Sequence, residues 1–145
     1  MNMDVAYTDI RNEQDWQAVT KHIPVLRVQD TQGVLAWVKE ELVGAVILDS
    51  WNHSGVSAHF LLRKPFLLRH GFLERCLNFI FNVRKKKYIY AQVASNNEKA
   101  LKLDKHLGFV EVARMVDGYD DGIDYILMEL AKDNCRHLRG PQNGG

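Results

Sequence analysis

The sequence predicts an α/β fold with a mixed, twisted sheet of about seven strands flanked by helices, on three observations. Short β-branched and aromatic runs alternate with amphipathic helical stretches, three of those runs follow one another with no helix between them, and a helix joins the fourth run to the fifth. Consecutive runs make an antiparallel meander, whereas strands joined through a helix become parallel neighbours, so the sheet has to be mixed.

Val5 to Ile10 is the first strand. Asn12 opens a helix in NEQDWQAVTKHI, where Trp16, Val19 and Ile23 share a face at helical spacing before Pro24 ends it. After the DTQG loop, VLAWVKE and LVGAVILDSW read as strands separated by a charged turn, and VSAHFLL follows the NHSG turn as the fourth. Pro65 interrupts the pattern. From Leu68 the spacing is helical, with Phe72, Leu73, Cys76, Leu77, Ile80 and Phe81 on one side and Arg75, Asn78 and Asn82 on the other. YIYAQVA is the fifth strand. NNEKALKLDKHLGF then reads as a punctuated helix: Ser95 and Glu98 fit a capping box, Asn96 and Asn97 are also competent caps, and Gly108 can take the left-handed conformation that closes a helix. VEVARMV and IDYILMEL form a closing hairpin around DGYDDG. Residues 1–131 are expected as one domain, and 132–145, rich in Gly, Asn and Arg, as a loosely ordered tail.

Composition narrows the function. At 145 residues, 46% hydrophobic and 26% charged, the chain reads as globular with a real core. Nineteen basic against eighteen acidic side chains, with no long block of either sign, give no footprint for nucleic acid or an acidic membrane. MNMDVAYTDI has neither the basic nor the apolar part of a leader, and no apolar run approaches the roughly 18 residues of a span, so the chain is expected in the cytosol. Cys76 sits in the helical stripe and Cys135 in the polar tail, two reduced thiols with no CxxC spacing, and DGYDDG lacks the spaced ligands of a calcium loop; no metal is expected.

The element order βα, βββ, αβ, αββ, with Asn97, Ala100, Leu103, Gly108 and Phe109 realising N-x-x-A-x-x-L-x-x-x-x-G-F, resembles the GNAT superfamily of acetyl-CoA-dependent N-acetyltransferases. The resemblance is strongest from about residue 43 to 130, and weak in the first forty or so residues. Within the superfamily, Asp49 to Trp51, His59, Leu107 to Phe109 and Gly122 to Asp124 resemble a phage-encoded branch. The resemblance implies acetyl-CoA as cosubstrate and direct transfer of its acetyl group, in a ternary complex, to a primary amine of a small molecule or protein. It places that chemistry in the cytoplasm, the host's if the chain is phage-encoded, and allows a homodimer.

The same resemblance assigns candidate sites. A pyrophosphate needs backbone amides at a helix start, where unpaired donors and the helix dipole favour anions. The family's glycine-rich turn aligns on FLLRHG, where only Gly71 matches and Phe66 and Arg69 replace a polar residue and a glycine. The amides of Leu68, Arg69, His70, Gly71 and Phe72 are the candidate cradle, with charge from Arg69 or His70. Amides of Phe60, Leu61 and Leu62 on the fourth strand would bond the pantetheine arm and polarise the thioester. Asn97 either bonds that arm or only caps its helix, and Lys99 or Lys102 would approach phosphate. His59 is the candidate general base, because imidazole titrates near neutral pH, or else a hydrogen-bonded structural residue. Asp49, Trp51, His53 and Tyr119 are candidates for orienting the acceptor.

One departure stands out. Many of these enzymes place a proton-donating tyrosine seven residues after the motif asparagine, and here that position is Asp104, expected as a solvated, charged carboxylate and so a poor acid. Ser95, Tyr90 or water are the substitutes, and a thiol with pKa near about 8.5 leaves with little help. With the degraded glycine turn, this keeps a second reading open: a catalytically weak GNAT-fold protein that docks on a host protein.

Overall fold

The computed structural model describes residues 4–69 and 71–135. Seven strands form one open, mixed sheet: β1 (Val5–Thr8), β2 (Gln32–Val38), β3 (Glu41–Asp49), β4 (Gly55–Leu62), β5 (Tyr88–Ala94), β6 (Val110–Asp120) and β7 (Ile123–Ala131). Their order is β1-β2-β3-β4-β5-β7-β6. Three helices flank it, α1 (Glu13–Thr20), α2 (Phe72–Asn78) and α3 (Glu98–Leu107). Contacts divide the chain into two compact units, Met1–Trp51 with Ala58–Cys76, and Asn52–Ser57 with Leu77–Gly145.

In the first unit β1 pairs antiparallel with β2, and β2 with β3, through a register shift at Ala36/Trp37. The first strand stops at Thr8, shorter than its apolar pattern. Asn12 caps α1 as expected, its side chain accepting the Asp15 N–H at 2.9 Å, and Asp15 in return takes the Arg11 guanidinium at 2.8 Å. That bond, more than the burial opposing it, holds the Asp15 carboxyl below its usual range. Trp16 and Val19 deliver the buried face of α1 to Leu35, Leu42, Ala45 and Ile47. β3 is buried on both faces from Leu42 to Leu48, which explains its unbroken apolar run.

The helix expected from Leu68 is divided. Pro65–Arg69 is a 3-10 turn, α2 begins only at Phe72, and Phe79–Val83 widens into a π-turn closed by Arg84 N–H on the Phe79 carbonyl at 2.8 Å. Gly71, at φ +75°, separates the first two. The stripe itself is as expected, with Phe72, Leu73, Cys76, Leu77, Ile80 and Phe81 all buried.

In the second unit β5 runs parallel to the start of β4, Gly55–Ser57 beside Tyr88–Tyr90, and antiparallel to β7 along its whole length. Gly108 ends α3 at φ +112°, as expected. Added bulk there would meet the Asn134 carbonyl oxygen at 2.5 Å. The closing hairpin is tighter than DGYDDG implied, since Asp120 pairs with Ile123 and only Asp121 and Gly122 turn. Cys135 is fully buried after a short 3-10 turn, Lys132–Asn134, a correction to its expected place in a polar tail. Residues 136–145 lie outside the described residues.

Candidate functional site

The structure brings two of the expected site residues together in the first unit. His59 Nε2, on β4, lies 3.1 Å from Asp49 Oδ2, at the end of β3. An ionised carboxylate only accepts hydrogen bonds, so beside it a neutral imidazole donates from Nε2 and keeps its lone pair on Nδ1. The Asp49 side chain is 13% exposed and the His59 ring 37%, which leaves the imidazole open to a substrate and its orienting partner sheltered. An imidazole held this way can accept a proton at Nδ1 while the carboxylate stabilises the cation formed. The pairing spans ten residues, and only the strand registry reveals it.

Beyond Asp49 the chain turns sharply, with Ser50 at φ +53°. The Asp30 carboxylate accepts the Ser50 N–H at 3.3 Å and the Trp51 N–H at 3.0 Å, and the Trp51 indole donates to the Asp30 carbonyl at 3.1 Å. Trp51 is thus held to a structural turn. Sequence reasoning saw DTQG only as a loop; the spacing of 20 and 21 residues gave no signal for the contact.

Also in the first unit, Gly71 opens α2, whose first bond runs from Arg75 N–H to the Gly71 carbonyl at 2.9 Å. No atom lies within 4 Å of where a Gly71 side chain would start, so the turn faces open space, with Leu68 and Arg69 exposed beside it. An exposed cation and an open glycine turn fit an anion. Phe72 is different: its ring is buried and stacks on Tyr7 at 5.8 Å, so only its backbone can serve a ligand. His70 lies outside the described residues. Phe60, Leu61 and Leu62 are half-buried on β4.

The second unit holds the remaining candidates. Asn97 is the cap of α3, its side chain accepting the Ala100 N–H at 3.1 Å. This corrects the Ser95–Glu98 capping box: Ser95 Oγ instead accepts the Asp124 N–H of β7 at 2.9 Å, because strand pairing draws it away from the helix. Lys99 is exposed. Asp104 is the larger correction. It is 3% exposed, and burial pushes its carboxyl up to about 7, so it is no solvated anion. Spacing along α3 puts it with Leu107 on the buried face, a placement its charge concealed. Tyr90 faces Glu129 across β5 and β7; burial first, then its hydrogen bond to that carboxylate, raises its phenol. Tyr119 is exposed, edge-on to Tyr125 at 5.5 Å, and His53 sits on an exposed turn whose carbonyls, with that of Asn52, accept from Lys86. Among the described residues no group of His, Cys, Asp or Glu is arranged to hold a metal ion, and no helix is long and apolar enough to cross a membrane.

No family model and no curated protein matches the sequence. Solved structures do match the fold. A spermidine/spermine N-acetyltransferase from Vibrio cholerae, in complex with manganese ions, superposes with a TM-score of 0.72 at 15% identity, covering 97% of each chain. A mutant of the spermidine N-acetyltransferase from the same organism gives 0.73 at 18% identity, over 92% of this chain and 96% of that one. A protein assigned to the GNAT family of acetyltransferases from Desulfovibrio desulfuricans gives 0.69 at 13% identity, over 88% of this chain and 99% of that one. None of these likenesses supports the narrower phage-encoded branch. From its seven-stranded sheet and these superpositions, the chain has the GNAT acetyltransferase fold.

Proposed function

We propose that the chain is an acetyl-CoA-dependent N-acetyltransferase acting on a primary amine. The observation that carries this reading is the Asp49–His59 pair, a sheltered carboxylate hydrogen-bonded to a partly exposed imidazole. In the proposed reaction His59 Nδ1 takes a proton from the amine as its nitrogen attacks the thioester carbonyl, and Asp49 steadies the resulting imidazolium. The N–C bond forms, the C–S bond breaks, and coenzyme A leaves as the thiolate, which at a thiol pKa of about 8.5 needs little help from an acid, while the amine's proton stays on His59 until the thiolate or solvent takes it. Amides of Phe60 to Leu62 are assigned to the developing oxyanion, and those of Gly71 and Phe72, with the Arg69 side chain, to the cofactor's pyrophosphate. Burial, which pushes the Asp104 carboxyl up to about 7, weakens the objection that a charged carboxylate there would repel the leaving thiolate. The solved structures named for spermidine and spermine make a polyamine the first acceptor to try.

A second reading, a GNAT-fold protein that binds a partner with weak or no turnover, is favoured by the single glycine of the 66–71 turn. Calorimetry with acetyl-CoA, followed by thiol release across a panel of primary amines, separates the two. Saturable cofactor binding with amine-dependent release is expected. No heat at millimolar acetyl-CoA would sink the enzyme reading, and binding without release would favour the docking protein.

A further inference from the structure

The aim of Asp49 at His59 depends on its neighbour in the chain. Ser50 occupies the left-handed region, which a side chain makes costly, immediately after the residue whose carboxylate must reach the imidazole. Asp49 is the last residue of β3, past its last pairing with β2 at Leu48, so its aim is set against the turn that Ser50 begins. Something has to hold the turn.

We propose that Asp30 is a positioning residue for the Asp49–His59 pair. Its two carboxylate oxygens each accept one of the consecutive N–H groups of Ser50 and Trp51, and its own carbonyl accepts the Trp51 indole. Backbone N–H groups adjacent in a turn form a concavity suited to an anion, and here the chain supplies that anion itself. Asp30 is in turn fixed by the turn that bears it: the Thr31 hydroxyl accepts the Val28 N–H at 2.8 Å, and Thr31 N–H donates to the Val28 carbonyl at 3.1 Å. The clasp is therefore built from both sides, all within the first unit. Asp30 touches neither reacting group; it acts through Asp49, by keeping the Asp49 carboxylate on Nε2 so that Nδ1 keeps its lone pair.

This inference rests on His59 being the base, but its test does not need turnover. The imidazole nitrogens of His59 in the full chain, observed by long-range proton–nitrogen NMR, report which nitrogen carries the proton. The parent should show the Nε2–H form, and Asp49→Asn should show how the ring looks without its carboxylate. Asp30→Ala should move the His59 signals toward those of Asp49→Asn, and Asp30→Asn, which keeps one acceptor oxygen, should fall between. Adding Ser50→Gly to Asp30→Ala should return the signals toward the parent, because glycine holds the left-handed turn unaided. Where an amine is turned over, kcat should fall about ten- to a hundredfold in Asp30→Ala with the amine KM within about twofold. Parent-like His59 signals in Asp30→Ala would overturn the role of Asp30. A parent that turns over no amine would instead remove the acetyltransferase reading, and the His59 signals would still decide for or against Asp30.

Discussion

A carboxyl that is 3% exposed loses most of the water that stabilises its anion, and Asp104 accordingly keeps its proton up to about pH 7. The sign of the consequence comes from linkage. Between the unfolded pKa of about 4 and the folded value of about 7, the folded chain binds more protons than the unfolded one, so this residue makes stability fall as pH rises through that window. The penalty is absent below about pH 4 and fully present above about pH 7, and its size is up to about 4 kcal/mol. Asp104→Asn removes the charge and keeps the shape. Urea unfolding should find that variant more stable than the parent by about 2 to 4 kcal/mol at pH 8 and equal to it near pH 4; equal stability at both would show the carboxyl to be solvated after all. Residue-level chemistry was the least legible part of the sequence. Asp104 looked like any charged helix residue, and nothing in one-dimensional spacing tied Asp49 to His59 or Asp30 to Ser50, because strand registry and a turn bring them together.

At the scale of the element, punctuation was readable where a local side chain or glycine sets it. Asn12 and Asn97 cap α1 and α3, and Gly108 closes α3, all from residue types whose preferences are intrinsic. It failed where tertiary pairing competes: Ser95 serves β7, and the start of α2 waits for Gly71. Two substitutions probe these helix ends. Asn97→Ala should cost about 1 kcal/mol, recovered in Asn97→Asp, which keeps an accepting oxygen. Gly108→Ala should cost at least about 2 kcal/mol, because a β-carbon there meets both an unfavourable φ and the Asn134 carbonyl at 2.5 Å. Thermal or urea melts check both, and a Gly108→Ala variant as stable as the parent would mean that the helix end is free to move. If acetyl-CoA affinity falls in Asn97→Asp while stability holds, Asn97 also touches the cofactor; unchanged affinity leaves it a cap.

Across the whole molecule, the order of strands and helices was legible because hydrophobic period, turn residues and the parallel-crossover rule each constrain it independently. All seven strands appear in the expected order, with the parallel β4–β5 pair, though β1 ends early at Thr8 and β6 runs on to Asp120. What that order left open is chemistry, since one fold carries catalysts and binders alike. The chain's own thiols will not obscure the assay that separates them. Cys76 and Cys135 are both buried, and burial pushes the Cys76 thiol up to about 12, so both react slowly with a thiol reagent beside free coenzyme A, and a blank without acetyl-CoA subtracts them. The most direct test of the central claim is the rate of coenzyme A release from acetyl-CoA and a primary amine, compared between the parent and His59→Ala at matched acetyl-CoA saturation. A base in the reaction predicts a fall in kcat of about a hundredfold or more with acetyl-CoA affinity nearly unchanged; a variant that turns over as fast as the parent would contradict it.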